Sequence, residues 1–273
     1  MDKEPVVQIR GLTKAFDGRT VLRNITLDVF KGETLIIMGG SGCGKSTLLW
    51  HILGAYVPDS GSVRVLGHEI VGMPESEMNA LRRRIGVLFQ SGALYNSMTL
   101  GENVALPMRE HTELDSQIIE LMVKMKLELV GLRGFENLKP AQLSGGMKKR
   151  AGLARAIALD PELLFYDEPT AGLDPVFSAV IGKLIRDLNQ KLGVTSVVVT
   201  HDMTTAFQIA DRMAMLYDGE LLEIGTPDQI RKTGNQIVRQ FVEGLPEGPI
   251  KLRTASRDYY EDLLGVGEGK AAG

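Results

Sequence analysis

Short apolar runs rich in Val, Ile and Thr recur along this chain, and segments of helical periodicity separate most of the later ones. The apolar runs predict strands at Val6–Leu12, Val21–Phe30, Thr34–Gly39, Ser62–Val65, Ile85–Gln90, Leu163–Asp167, Ser196–Thr200 and Arg212–Tyr217. The periodic segments predict helices at Lys45–Leu53, Gly145–Leu159, Phe177–Leu192 and Thr204–Ala210. Because strands that alternate with helices build a covered parallel sheet, the pattern predicts a three-layer α/β core.

The alternation is interrupted between Ser91 and Pro140. Thr99–Leu106 and Ser116–Leu129 have helical periodicity with no strand between them. This pattern predicts an inserted helical subdomain over about residues 91–160. Near the end of the core, Asp218-Gly219 separates two strand-like runs and predicts a tight hairpin.

A tail follows the core. Pro246, Gly248 and Pro249 break helical structure, so we assign residues 5–245 to the core and residues 246–273 to a separate tail. The tail carries a cluster of large side chains, Tyr259, Tyr260, Leu263 and Leu264. Because burying such side chains is favourable, they favour a tail that docks on another subunit over a frayed terminus.

The composition of the chain excludes several classes of protein. Hydrophobic residues make up 44% of the 273 residues and charged residues 24%, as in a globular protein with a sizeable core. The net charge of -3 lacks the basic excess of a dedicated nucleic-acid binder. No apolar run approaches the roughly 18 residues of a membrane span, and no signal peptide is recognisable. The single cysteine, Cys43, excludes an internal disulfide and fits the reducing cytosol. We therefore expect any membrane role to be exerted through partners, from the cytoplasmic side.

The strongest chemical signal is a glycine-rich loop between a predicted strand and a predicted helix. It matches G-x-x-x-x-G-K-[ST] throughout, as Gly39, Gly40, Ser41, Gly42, Cys43, Gly44, Lys45 and Ser46. Glycines let consecutive N–H groups point inward around a phosphate, and the helix start adds positive charge. We expect Lys45 to reach the β- and γ-phosphates and Ser46 to bind Mg²⁺, with Thr47 beside them. Cys43 is interpreted as a small residue that fits the loop, with a redox-sensitive control point as the alternative.

Two carboxylates end the apolar run Leu163–Asp167. A buried strand would deliver Asp167 rigidly to a magnesium ion, and Glu168 is the candidate to orient and deprotonate the attacking water. His201 follows the run Ser196–Thr200 and is a candidate γ-phosphate contact. An exposed strand terminus and a structural histidine are the alternatives for these residues.

Leu143-Ser144-Gly145-Gly146-Met147 resembles the LSGGQ signature of ATP-binding cassette (ABC) ATPases. The other family motifs follow in the expected order and are carried by Phe16 at the adenine, Gln90 in the Q-loop, Asp167-Glu168 in Walker B, Ala171–Asp174 in the D-loop and His201 in the H-loop. The resemblance covers about residues 5–245. It implies a P-loop NTPase with a RecA-like core, an antiparallel β subdomain and an α-helical subdomain. Met147, Gly40 and Phe16 depart from the commonest residues, without removing the serine, the glycines or the aromatic face.

The resemblance also implies how the ATP sites are completed. In this family two cassettes associate head to tail, so Ser144, Gly145, Gly146 and the D-loop Asp174 of one copy close on ATP in the P-loop of the other. It implies Gln90 as a further Mg²⁺ ligand and catalytic residue, and the Q-loop as the link to membrane subunits. ATP would join the two halves, and hydrolysis would release them.

One branch of the family resembles this chain further. The Q-loop region Phe89–Pro107 and the run Leu143–Arg150, with Met147 followed by three basic residues, are similar to the ATPase of MCE-type (Mla-like) phospholipid transporters. That branch implies permease subunits, a periplasmic MCE-domain protein, often a small STAS-domain protein, and a position on the cytoplasmic face of the bacterial inner membrane. The alternatives are an ATPase for an amino-acid or methionine importer and a non-transport signalling cassette.

Overall fold

The computed structural model describes residues 4–250. The chain divides into two compact units, with the boundary between Lys232 and Thr233. The predicted docking tail begins at residue 246, and its four large side chains lie outside the described residues. No helix within residues 4–250 is both long and apolar enough to cross a bilayer.

Residues 4–250 form ten strands, β1 (Pro5–Phe16), β2 (Arg19–Phe30), β3 (Thr34–Met38), β4 (Ser60–Val65), β5 (His68–Glu69), β6 (Ile85–Leu88), β7 (Leu163–Asp167), β8 (Thr195–Thr200), β9 (Arg212–Tyr217) and β10 (Glu220–Gly225). The same range holds nine α-helices, α1 (Lys45–Ile52), α2 (Glu75–Arg82), α3 (Leu100–His111), α4 (Ser116–Leu129), α5 (Gly145–Ala156), α6 (Pro175–Leu192), α7 (Met203–Ile209), α8 (Pro227–Arg231) and α9 (Gln236–Glu243). The strands build an antiparallel sheet and a mostly parallel one.

The larger sheet has the order β10-β9-β3-β8-β7-β6. The five strands β9, β3, β8, β7 and β6 run parallel to one another. Strand β10 pairs antiparallel with β9, to which the predicted Asp218-Gly219 turn connects it. Every residue of β3 and β8 is buried, as expected for parallel strands covered on both faces. The predicted α/β core built on a parallel sheet is confirmed.

The smaller sheet, β2-β1-β4-β5, is antiparallel. Alternate side chains of its strands, among them Val7, Ile9 and Leu27, join one hydrophobic core with β3 and α1. This sheet therefore fixes β1, whose last residue is Phe16, against the element that carries the glycine-rich loop.

The helical subdomain is formed by α3, α4 and α5, which pack on one another. A capping box between Thr99 and Glu102 starts α3. The prediction that this helix ends at Leu106 is wrong, since it continues through Pro107 to His111. Burial of Val104 and Met108 on one face offsets the hydrogen bond that Pro107 cannot donate.

Three helices were not predicted from the sequence pattern. These are α2, α8 and α9, each of eight residues or fewer. Within the second unit, α9 is followed by a turn that Gln240 organises. Its side chain bonds to the backbone of Leu245 and Ile250.

Candidate functional site

The carboxyl ends of four parallel strands meet along one edge of the larger sheet. Met38 pairs with Thr200, Val199 with Asp167, and Tyr166 with Leu88. The loops that follow these strands carry the predicted residues Gly39–Thr47, Asp167-Glu168, His201 and Gln90. The sheet thus brings most of the predicted site together at one edge, the usual ligand side of an open α/β sheet.

The glycine-rich loop wraps around its own lysine. Lys45 is buried, and its ammonium group donates to the carbonyl oxygens of Gly39 at 2.8 Å and Gly40 at 2.9 Å. A Cβ on Gly39 would lie 2.2 Å from Leu216 O. Gly44 has φ of 108°, and a Cβ there would lie 2.8 Å from the Leu22 side chain. The backbone can therefore take this path only with glycine at these positions.

The first turn of α1 completes the loop. Ser46 is exposed and Thr47 is half-buried, so both hydroxyls lie near the surface at the helix start. Ser41 and Gly42 are exposed as well. Cys43 is partly buried, and burial raises the pKa of its thiol, with Lys45 opposing the shift. A protonated thiol is a poor nucleophile, which fits the interpretation of Cys43 as a packing residue.

Glu168 and His201 are in direct contact. His201 Nδ1 lies 2.9 Å from Glu168 Oε2. The Glu168 side chain is only 13% exposed, whereas His201 is 62% exposed. The backbone N–H of Glu168 donates to Val199 O at 2.9 Å, and Glu168 has φ of 46°, in the left-handed region. Two of the predicted catalytic side chains, Glu168 and His201, thus form one unit at the ends of β7 and β8.

Asp167 is a half-buried carboxylate beside other charges. Burial raises its pKa, the Glu168 carboxylate adds to the rise, and Lys45 and Lys149 oppose it. A carboxylate in such surroundings gains from a cation. Oxygen ligands are what Mg²⁺ prefers, and it commonly takes only one or two from the protein beside substrate phosphates. Asp167, the exposed Ser46 and the exposed Gln90 amide fit that requirement.

The aromatic ring expected to contact adenine is exposed, and two neighbouring side chains contact it. Phe16 is 38% exposed. Lys14 Nζ lies 5.4 Å from its ring centroid, and the Tyr56 ring meets it edge-on at 5.5 Å. Lys14 is itself held by Asp59 Oδ1 at 2.8 Å. The sequence predicted Phe16 at this site but not Lys14 or Tyr56. Tyr56 lies forty residues from Phe16 in the chain, so only the fold brings the two rings together.

The signature residues start a helix of the inserted subdomain. Ser144 caps α5 by accepting from Met147 N at 3.3 Å, and Ser144 and Gly145 are exposed. Gly146 is buried against the Phe177 ring. Asp174 caps α6 by accepting from Val176 N and Phe177 N. The structure therefore gives Ser144 and Asp174 capping roles within the subunit, while leaving both exposed to a second molecule.

A further residue at the site, Lys149, was not predicted from the sequence. Lys149 is 5% exposed, and its ammonium group donates to the backbone oxygen of Glu168 at 3.0 Å. A basic triplet such as Lys148–Arg150 would ordinarily form a solvated helix face. The spacing of Gly146, Lys149 and Leu153, three and four residues apart, was the available signal, because it places Lys149 on the buried face of α5.

Comparison with known proteins gives a family. A family model described as "ABC transporter" matches residues 22–171, more than half of the chain. A solved structure of the ATP-binding cassette MJ0796, dimeric and bound to ADP and Pi, is 33% identical with a TM-score of 0.75 and covers 81% of this chain and 98% of that one.

Curated relatives match almost from end to end. The "Intermembrane phospholipid transport system ATP-binding protein MlaF" of Escherichia coli (strain K12) is 44% identical over 259 residues, 95% of this chain and 96% of the relative. The protein of the same name from Haemophilus influenzae is 42% identical over 95% of this chain. The "Probable ribonucleotide transport ATP-binding protein mkl" of Mycobacterium leprae is 41% identical over 90% of this chain, but over 71% of its own length.

Proposed function

Since this chain belongs to the ABC transporter family of ATPases, we propose that it powers the movement of phospholipids between the inner and outer bacterial membranes. The proposal that the cargo is phospholipid is based on the 44% identity to a phospholipid-transport ATPase, over 95% of this chain and 96% of that relative. Neither an amino-acid importer nor a signalling cassette has comparable support. The mycobacterial relative named for ribonucleotide transport is matched over a smaller share of its length.

The geometry of the sheet edge supports ATP binding by the glycine-rich loop. Lys45 is held at the loop by two carbonyl oxygens, from which it can turn to the phosphates. The N–H groups at the start of α1 attract negative charge. Phe16 offers an exposed ring face for the base. Ser46, Gln90 and Asp167 would hold Mg²⁺, which neutralises phosphate charge when bound.

Glu168 is proposed to orient and deprotonate the attacking water. Its carboxylate is mostly shielded from solvent and is fixed by His201, so its direction at the end of β7 is defined. His201 is exposed enough to contact the γ-phosphate. Ser144, Gly145, Gly146 and Asp174 of a second copy would close the site from the other side, in a head-to-tail dimer. The exposed positions of Ser144, Gly145 and Asp174 at helix starts support this arrangement.

A basic cleft beside the Q-loop supports docking of the permease. The cleft has a volume of about 530 Å³ and is lined by Phe89, which precedes Gln90, and by Arg82, Arg83, His111 and Arg155. It is bordered by both the sheet core and α3. A segment of the permease with acidic side chains fits this charge, and its movement would act directly on the Q-loop.

The remaining partners are proposed from the branch of the family. They are a periplasmic MCE-domain protein and a small cytoplasmic STAS-domain protein, with the ATPase held at the cytoplasmic face of the inner membrane by the permease. An exposed apolar stripe on α4 supports a cytoplasmic partner on the helical subdomain. It consists of Ile118, Leu121, Met125 and Leu129, and such a stripe on a surface helix commonly marks an interface.

The test is to purify the complex from bacterial membranes and reconstitute it in liposomes with a fluorescent phospholipid. We expect phospholipid to co-purify and its transfer to require Mg-ATP. Lys45→Ala should abolish transfer and hydrolysis, while Lys183→Ala, at an exposed position on α6, should leave both unchanged. Hydrolysis stimulated by an amino acid or a ribonucleotide, without lipid movement, would refute the proposed cargo.

A further inference from the structure

The helix that begins with the signature motif contacts the backbone of Glu168, the proposed hydrolytic residue of its own subunit. Lys149 lies on α5, five residues after its cap Ser144, which corresponds to roughly 7.5 Å along the axis. Its side chain is buried, and its ammonium group donates to Glu168 O at 3.0 Å. A single rigid element therefore connects the exposed end of α5 with the backbone of Glu168.

Packing alone does not explain a lysine at this position, because burying its ammonium group costs desolvation free energy. Buried ammonium groups are rare unless they are paired, and Glu168 O is the one hydrogen-bond acceptor of the Lys149 ammonium group among residues 4–250. The charges of Asp167 and Glu168 attract it, but an apolar residue would avoid the desolvation altogether. Departures from burial rules of this kind are expected at functional sites.

Glu168 is a residue whose backbone has to be held. Its φ of 46° is unusual for a residue with a side chain, and such conformations persist only where several contacts define them. The N–H is bonded to Val199 O at 2.9 Å, and the carboxylate to His201 at 2.9 Å. The carbonyl oxygen accepts from Ala171 N at 3.2 Å and from the Lys149 ammonium group at 3.0 Å. Of these two contacts, the one from Lys149 comes from the helical subdomain.

We infer that Lys149 is a positioning residue that couples the two ATP sites of the dimer by fixing Glu168 to the signature helix. The inference rests on the proposed head-to-tail dimer. In that dimer Ser144 and Gly145 engage ATP held by the other copy, while Lys149 on the same helix holds the Glu168 that acts on the subunit's own ATP. Nucleotide at one site therefore orders the hydrolytic carboxylate at the other.

The test is steady-state ATP hydrolysis by the purified complex with its membrane subunits, for Lys149→Met, Lys149→Arg and Lys148→Met. Lys148 is a matched control on the same helix, half-exposed, and its side chain makes no hydrogen bond or ion pair within the described residues. We expect Lys149→Met to lower kcat by about tenfold to a hundredfold, as losses of supporting contacts at active sites do. Its KM for ATP should stay near the parental value, and its Hill coefficient should fall from above one to one. Lys149→Arg should recover much of both, and Lys148→Met should match the parent.

Three results would overturn the inference. One is a Lys149→Met complex with the kcat and Hill coefficient of Lys148→Met, and another is a parental Hill coefficient of one. The third is a Lys149→Met complex that loses ATP affinity together with turnover, which would make the lysine a general structural element. If Lys149→Met does not fold, as thermal unfolding would reveal, Lys149→Gln decides by the same readouts. Because no lipid is measured, failure of the proposed cargo would leave this result unaffected.

Discussion

At the scale of single residues, the role proposed for Glu168 as the base gives the most direct test. Glu168→Gln keeps the size and the contact to His201 but removes the base, so turnover should fall by about a hundredfold to ten-thousandfold. ATP binding should persist, and a closed dimer should accumulate with ATP. Size-exclusion chromatography with light scattering measures that dimer. Glu220→Gln, at an exposed position at the start of β10, should behave as the parent. Parental turnover in Glu168→Gln would assign the base elsewhere.

The glycines of the loop offer a second prediction at this scale. Gly44→Ala combines a left-handed backbone with a Cβ 2.8 Å from Leu22 Cδ2 and 3.0 Å from Val21 O. We expect it to lower the free energy of unfolding by about 1–3 kcal/mol, as measured by urea denaturation. Gly40→Ala is the matched comparison, because a Cβ there meets nothing within 4 Å. It should unfold at the parental denaturant concentration. Equal stabilities would mean that the loop adapts freely.

At the scale of elements, α4 divides its surface between two neighbours. Ile119, Val123 and Leu127 are buried within the subdomain, whereas Leu121 and Met125 are 60% and 59% exposed. The double change Leu121→Asp and Met125→Asp should release the proposed small cytoplasmic partner from the complex, because aspartate is not tolerated in an apolar contact. Co-purification measures this, and ATP hydrolysis by the isolated subunit should not change. Val180→Asp, an exposed apolar position on α6, should retain the partner.

Elements also mark what the sequence could and could not predict. The strands β3, β7, β8 and β9 have continuous apolar runs, so their positions were predicted within a residue or two. The short helix α2 has only Met78 and Leu81 buried, too few to produce a recognisable period. The extension of α3 past Pro107 depends on tertiary packing of Met108, which local sequence rules do not contain. Lys149 was missed for a different reason, because its charge indicated a surface position although its spacing on α5 placed it on the buried face.

At the scale of the whole molecule, the two predicted halves of the ATP site lie on different subdomains. The P-loop starts α1 at the edge of the larger sheet, and the signature starts α5 in the helical subdomain. This division permits a site shared between copies, as proposed from the dimeric family. If the site is shared, two inactive variants with defects in different halves can complement each other and restore hydrolysis. A site within one chain would not allow this.

The consequence can be tested by mixing Lys45→Ala and Ser144→Arg subunits, each inactive alone. Lys45→Ala removes the phosphate ligand, and Ser144→Arg blocks the signature face with a side chain that needs room. In a mixed dimer, the parental P-loop of one copy meets the parental signature of the other, so one of two sites is restored. Random pairing in a two-fold dimer then gives about a quarter of parental turnover per subunit, or less if both sites must act together. Turnover no greater than the sum of the separate variants would place both halves of each site within one chain.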